Sequence, residues 1–122
     1  MMDARQLSAL SQAFDIICGT SDGNTSVKHK YIGENLVVTY TSVVHFAEEY
    51  SLREQTKRET ERSVMMINDC ISKVKPKYSE LYGKSLKIKE VTSNDNIEII
   101  SASAMSPRKI AYYRRHVTYE VK

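Results

Sequence analysis

The stretch from Ser51 to Gly83 limits what this chain can fold into more than any other. It opens with Ser51-Leu52-Arg53-Glu54, the pattern of a capping box, in which serine and glutamate side chains each satisfy the other residue's backbone amide. It closes at Gly83, a residue that takes the left-handed conformation ending many helices. A helix between these marks is about 45 Å long at the usual rise per residue. A chain of 122 residues is expected to form one domain, residues 1–122, so such a rod must span it from end to end.

The rod has two chemistries. From Val64 on, Val64, Ile67, Ile71, Val74, Tyr78 and Leu81 recur at spacings of three and four, one apolar seam. Upstream, Arg53 to Arg62 is polar on all sides, and Glu54–Arg58 and Lys57–Glu61 are opposite charges one turn apart. A segment polar all round is solvated, bridging or docked on a partner. Pro76 removes a helical hydrogen bond and is expected to kink or split the rod.

Ahead of the rod, Asp3 to Cys18 reads as a helix capped by Asp3, with Leu7, Leu10, Phe14 and Ile17 on one face and Gly19 as its stop. A polar loop follows. Lys28–Ile32 is a short strand, Gly33-Glu34-Asn35 a turn, and Leu36–Phe46 the clearest strand, β-branched or aromatic on both faces. After the rod, Leu86–Val91 and Ile97–Ser103 are strands around a loop at Thr92–Asn96. A loop at Ala104–Lys109 then leads to a last strand, Ile110–Val121. The expected fold is α+β, a two-layer sandwich. An N-terminal helix and one long kinked helix pack on a mainly antiparallel sheet ending in a three-strand meander. The sheet face away from the helices is expected to be rich in tyrosine and arginine.

The residues that carry chemistry are scattered. His29, His45 and His116 lack the paired spacings of metal ligands, and Cys18 and Cys70 stand alone, as buried free thiols do. No serine sits in a nucleophile elbow, and Glu48-Glu49 suits a helix N-terminus electrostatically. No catalytic residue, cofactor, metal or small-molecule substrate is expected, and no enzyme. No run of apolar residues approaches the ~20 of a membrane span or forms a signal peptide. The expected location is the cytoplasm, of whatever host.

Charge is the most informative remaining pattern. Residues 1–50 hold three Lys/Arg against six Asp/Glu, whereas residues 51–122 hold fifteen against nine. Copies with an acidic and a basic half are able to meet head to tail, building rings or filaments. Arg53, Lys57, Arg58 and Glu61 on the rod, and Tyr112 and Tyr113 on the last strand, are the candidate subunit contacts. Arg108, Lys109, Arg114, Arg115 and His116, interleaved with tyrosines, are candidates for phosphate contact and base stacking. Arg114 and Arg115 fall on opposite faces of a regular strand, which divides that cluster.

At the level of fold, the chain resembles the small α+β subunits with a long helix and a strand meander found among viral connector, neck and tail-completion proteins. The resemblance implies a non-enzymatic assembly subunit of a homo-oligomer in a phage-like particle, touching copies of itself and neighbouring assembly proteins. The alternative is a small nucleic-acid-binding regulator using the basic C-terminal strand.

Overall fold

The computed structural model describes residues 2–18, 25–101 and 109–122. In order, the elements are α1 (Ala4–Cys18), β1 (Thr25–Ile32), β2 (Asn35–Phe46), α2 (Glu49–Tyr82), β3 (Ile88–Ser101) and β4 (Lys109–Val121). The strands form one antiparallel sheet in the order β1-β2-β4-β3, with both helices on one face. The α+β sandwich is as the residue pattern implies. The expected stop at Gly19 and the loop around Pro107 lie outside the described residues.

Helix α1 starts at a reciprocal cap. Asp3 Oδ1 accepts from the Gln6 amide at 2.8 Å, and Gln6 Oε1 accepts from the Asp3 amide at 3.2 Å. Leu10 and Phe14 are buried, with Ala9 and Ala13 giving close approach.

Helix α2 runs through 34 residues, about 51 Å. It begins before the expected capping box. Glu48, in extended backbone, is the N-cap residue and makes no side-chain cap bond. Ser51 already lies inside the helix, where its hydroxyl accepts from Gln55 Nε2 at 3.0 Å. Negative charge at Glu48 favours that earlier start, because it stands at the electropositive end of the helix. At the other end Gly83 has φ +87 and its amide donates to the Ser79 carbonyl at 2.8 Å. Pro76 does not split the helix. Val74 and Tyr78, on either side of it, are both buried in the same core, and that packing offsets the ~3 kcal/mol a helical proline costs.

The hairpin β1–β2 turns at Gly33-Glu34, with Gly33 at φ +62, so that Ile32 stands opposite Asn35. A two-residue loop needs positive φ at its first central position when it takes the II′ form, hence the glycine. Strand β2 presents Leu36, Val38, Tyr40, Ser42, Val44 and Phe46 to the helices, all buried. Strand β4 adds Ala111, Tyr113, Val117, Tyr119 and Val121. All of these but Ser42, Phe46 and Ala111 join Ile67, Cys70, Ile71, Val74 and Tyr78 of α2 and Ala9, Leu10, Ala13 and Phe14 of α1 in one core.

Beyond α2 the expected three-strand meander is a two-strand hairpin. Thr92–Asn96 forms no loop: it lies within β3, with Thr92 opposite Thr118 and Asn96 opposite Arg114. β3 is an edge strand exposed on both faces, so it has no need of alternating apolar residues, and a solvated Ser-Asn-Asp-Asn run extends as readily as it turns. Val91 is an extra residue, a bulge between Glu90 and Thr92.

Cys18 and Cys70 are joined in a disulfide, which corrects the reading of free thiols. The bond ties the end of α1 to the middle of α2. Nothing local announces it, because 52 residues separate the two cysteines and only helix packing brings their Cα atoms to 6.2 Å. Among the described residues no helix is long and apolar enough to cross a membrane.

Candidate functional site

The polar half of α2 rests on the sheet through hydrogen bonds. Glu59 Oε2 accepts from the Tyr40 hydroxyl at 2.6 Å and from Ser42 Oγ at 2.8 Å. One turn on, the fully buried Ser63 donates to the Thr60 carbonyl and lies 3.2 Å from the Tyr113 hydroxyl. Tyr113 in turn donates to Asp95 Oδ2 at 2.9 Å, with Arg115 on the same carboxylate at 3.9 Å. Burial, then the bond to Glu59, pushes the Tyr40 phenol up to about 12, so it stays a donor at neutral pH. This network docks a helix face that has no apolar seam. Sequence reading missed it, although Tyr40, Ser42 and Tyr113 all fall on the helix-facing parity of their strands.

The candidate contacts are dispersed by the fold. Arg53, Lys57, Arg58 and Glu61 lie on the exposed side of α2. Tyr113 is 1 % exposed and belongs to the core, so it offers no surface to a partner; its hydroxyl is spent on Asp95. Tyr112 stays on the open face, beneath the Arg114 guanidinium at 5.1 Å. Arg114 also binds Glu98 at 2.8 Å, while Arg115 turns to the helix side, towards Asp95 and Ser93. Lys109 begins β4 opposite Phe46, and Arg108 lies outside the described residues. The basic stretch is therefore divided between two faces.

The open face departs from expectation. Tyr40, Tyr113 and Tyr119 all point to the helices. What remains outside, beside Tyr112, is a lattice of polar and basic residues in register: Ser26, Thr41, Arg114 and Asn96 in one row, Lys28, Thr39, His116 and Asn94 in the next. Thr39 Oγ1 lies 2.9 Å from His116 Nδ1. Burial, and then Lys30 and Arg114, lower the His116 pKa, keeping its ring neutral to lower pH than usual.

Apolar side chains are exposed singly at Ile16, Met65 and, at the end of β1, Ile32, and three together on β3, where Val91, Ile99 and Ile100 are each about half accessible: 53 %, 53 % and 49 %. From Lys89 to Asn96 every residue of β3 is exposed. The strand reaches α2 through the long Thr60–Asp95 contact at 3.5 Å.

Two open clefts flank α2. An open groove of about 390 Å³ runs along Ser51, Gln55, Arg58 and Glu59 on one side of α2. Another, of about 670 Å³, gathers Lys84, Lys87 and Lys122 beside Tyr78 and Tyr82. It sits at the C-terminal end of α2, where the helix dipole opposes an anion. Among the described residues no three His, Cys, Asp or Glu side chains converge as a metal site. Comparisons with protein-family models, curated proteins and solved structures found no match to this chain.

Proposed function

We propose that this chain is a non-enzymatic assembly subunit that works as a homo-oligomer, of the connector, neck or tail-completion kind in a phage-like particle. The observation that carries the reading is β3: a 14-residue edge strand with exposed isoleucine and valine and little helix packed over it. An uncovered long edge is a template for another chain. The charge asymmetry between sequence halves carries less weight than the composition implied, because acidic-half β2 is paired directly with basic-half β4 and the two halves do not form separate poles. The disulfide favours a virion over the cytoplasm, since such bonds persist where thiols are not kept reduced.

The test is solution molar mass by light scattering after size exclusion, followed by electron microscopy of any large species. A defined multiple of the 14.0 kDa protomer is expected. A monomer at every concentration refutes self-assembly.

A second reading, nucleic-acid binding, draws on the open face, where Lys30 and Arg114 both act on His116. It predicts oligonucleotide binding that weakens steeply with salt, by a log–log slope of roughly 0.9 per phosphate neutralised on duplex DNA. An absence of binding at low salt ends it.

A further inference from the structure

An edge strand carries unpaired amides and carbonyls along its outer side, and proteins usually blunt such an edge with charge and bulges. Strand β3 has both: Lys89, Glu90, Asp95 and Glu98, and the bulge at Val91. These devices reject a second strand in most registers. Their order matches one antiparallel register.

Consider a second copy of β3 laid antiparallel against the first, about a two-fold axis through Asn94. Asn94 then meets its own counterpart, Ser93 meets Asp95, and Thr92 meets Asn96. Past Val91 the count slips by one residue, so Glu90 meets Ile97, Lys89 meets Glu98 and Ile88 meets Ile99.

Side chains directly opposite each other must share a face, and here they do. Lys89 and Glu98 stand opposite Glu120 and Tyr112, on the open face. Ile88 and Ile99 stand opposite Val121 and Ala111, on the helix face. The bulge makes this possible: without the extra residue, Lys89 and Glu98 would point to opposite sides. Two-fold symmetry doubles each match, giving two Lys–Glu pairs and two Ile–Ile pairs from one strand.

We propose that the β3 edge is a self-recognition surface. A second copy of this chain pairs with it in that register, joining two four-stranded sheets into one continuous sheet. The partner is specified by charge complementarity, with Glu98, which Arg114 of its own chain holds at 2.8 Å, keeping its second oxygen for the copy's lysine. Lys89 near one end of β3 meets Glu98 near the other end of its copy, and the half-buried Ile88 and exposed Ile99 are covered together. This deepens the assembly reading and rests on it.

The experiment uses the full chain as wild type, as Lys89→Glu, as Glu98→Lys, and as an equal mixture of the two variants. Sedimentation velocity over a concentration series gives the dimer dissociation constant, and circular dichroism establishes that each variant is folded. Each variant alone sets two like charges against each other twice, so its self-association weakens about tenfold or more. In the mixture, the new glutamate of the Lys89→Glu copy meets the new lysine of the Glu98→Lys copy. The native Lys89–Glu98 pair forms at the other, symmetry-related position. Affinity returns to near the wild-type value, as a heterodimer. If the wild type associates and both variants associate equally well, this edge is not the interface, although the assembly reading stands. If the variants weaken but the mixture does not recover, the register is wrong. A wild type that stays monomeric throughout overturns this proposal and the assembly reading together.

Discussion

The two edges of the sheet are finished in opposite ways. Strand β1 is eight residues long and lies under α1: Phe14 stacks on His29 with ring centroids 4.5 Å apart, and Ser11 Oγ meets the Tyr31 hydroxyl at 3.1 Å. Strand β3 is 14 residues long, is held by β4 on one side, and is exposed on both faces over most of its length. Both strands are rich in polar residues, so strand composition does not separate them. Helix placement does. Helix α1 is pinned beside β1 by the disulfide to α2, and α2 is pinned over β2 and β4 by the seam at one end and Glu59 at the other. Among the described residues two helices cover three strands, and the fourth lies open.

The largest way to break this contrast is to release α1. Reducing Cys18–Cys70 frees a loop of 52 residues, and loop entropy sets the expected loss at about 4 kcal/mol in denaturant unfolding. Amides of β1 should then exchange faster while the β3–β4 pairing holds. An unchanged β1 would show that packing alone keeps α1 in place.

Next in size is the boundary of the covered region. Glu59→Ala strands the Tyr40 and Ser42 hydroxyls under α2 and should cost about 1–3 kcal/mol. A loss of under about 0.5 kcal/mol, as at an ordinary surface site, would mean that water replaces the carboxylate at no cost.

The covered edge also carries a pH signature. The His29 pKa is lowered by burial, with Asp15 opposing, so the folded state resists a proton that the unfolded chain accepts near the ordinary value of 6.5. Stability is therefore full above pH 6.5 and falls as pH drops through the window between 6.5 and the lower folded value. His116 adds in the same direction. His29→Gln should flatten the urea midpoint against pH, and an unchanged slope would assign the effect to His116.

The smallest effect is expected on the open edge. Ile99→Ala, at a residue more than half exposed, should change the stability of dilute protein by under about 0.5 kcal/mol. A larger loss would place Ile99 in a core the monomer already has.

Much of the fold was legible where a period of 3.6 or 2 was strong. Leu10 and Phe14, the middle of the Val64–Leu81 seam from Ile67 to Tyr78, and the alternation of β2 and β4 all mark burial that the structure bears out, whereas the seam's ends, Val64 and Leu81, are exposed. Legibility failed where burial stops dictating residue type. Ser93 to Asn96 has turn composition but lies in an edge strand, and Tyr113 reads as a surface tyrosine until Ser63 and Asp95, distant in sequence, close around its hydroxyl. The disulfide and the Glu59 bonds are likewise products of tertiary juxtaposition and leave no local pattern. The candidate contacts on α2 were visible as charge; the β3 edge was not, because an edge is defined by the strand that is missing beside it.

The most direct measurement is hydrogen exchange of backbone amides at low and high protein concentration, resolved over β1 and β3. The outward amides of β3 should exchange rapidly in dilute solution and become protected as copies pair, while β1 stays equally protected at both concentrations. Protection of β3 that ignores concentration, or a β1 edge that gains protection instead, would contradict the assignment of one edge to this chain and the other to its partner.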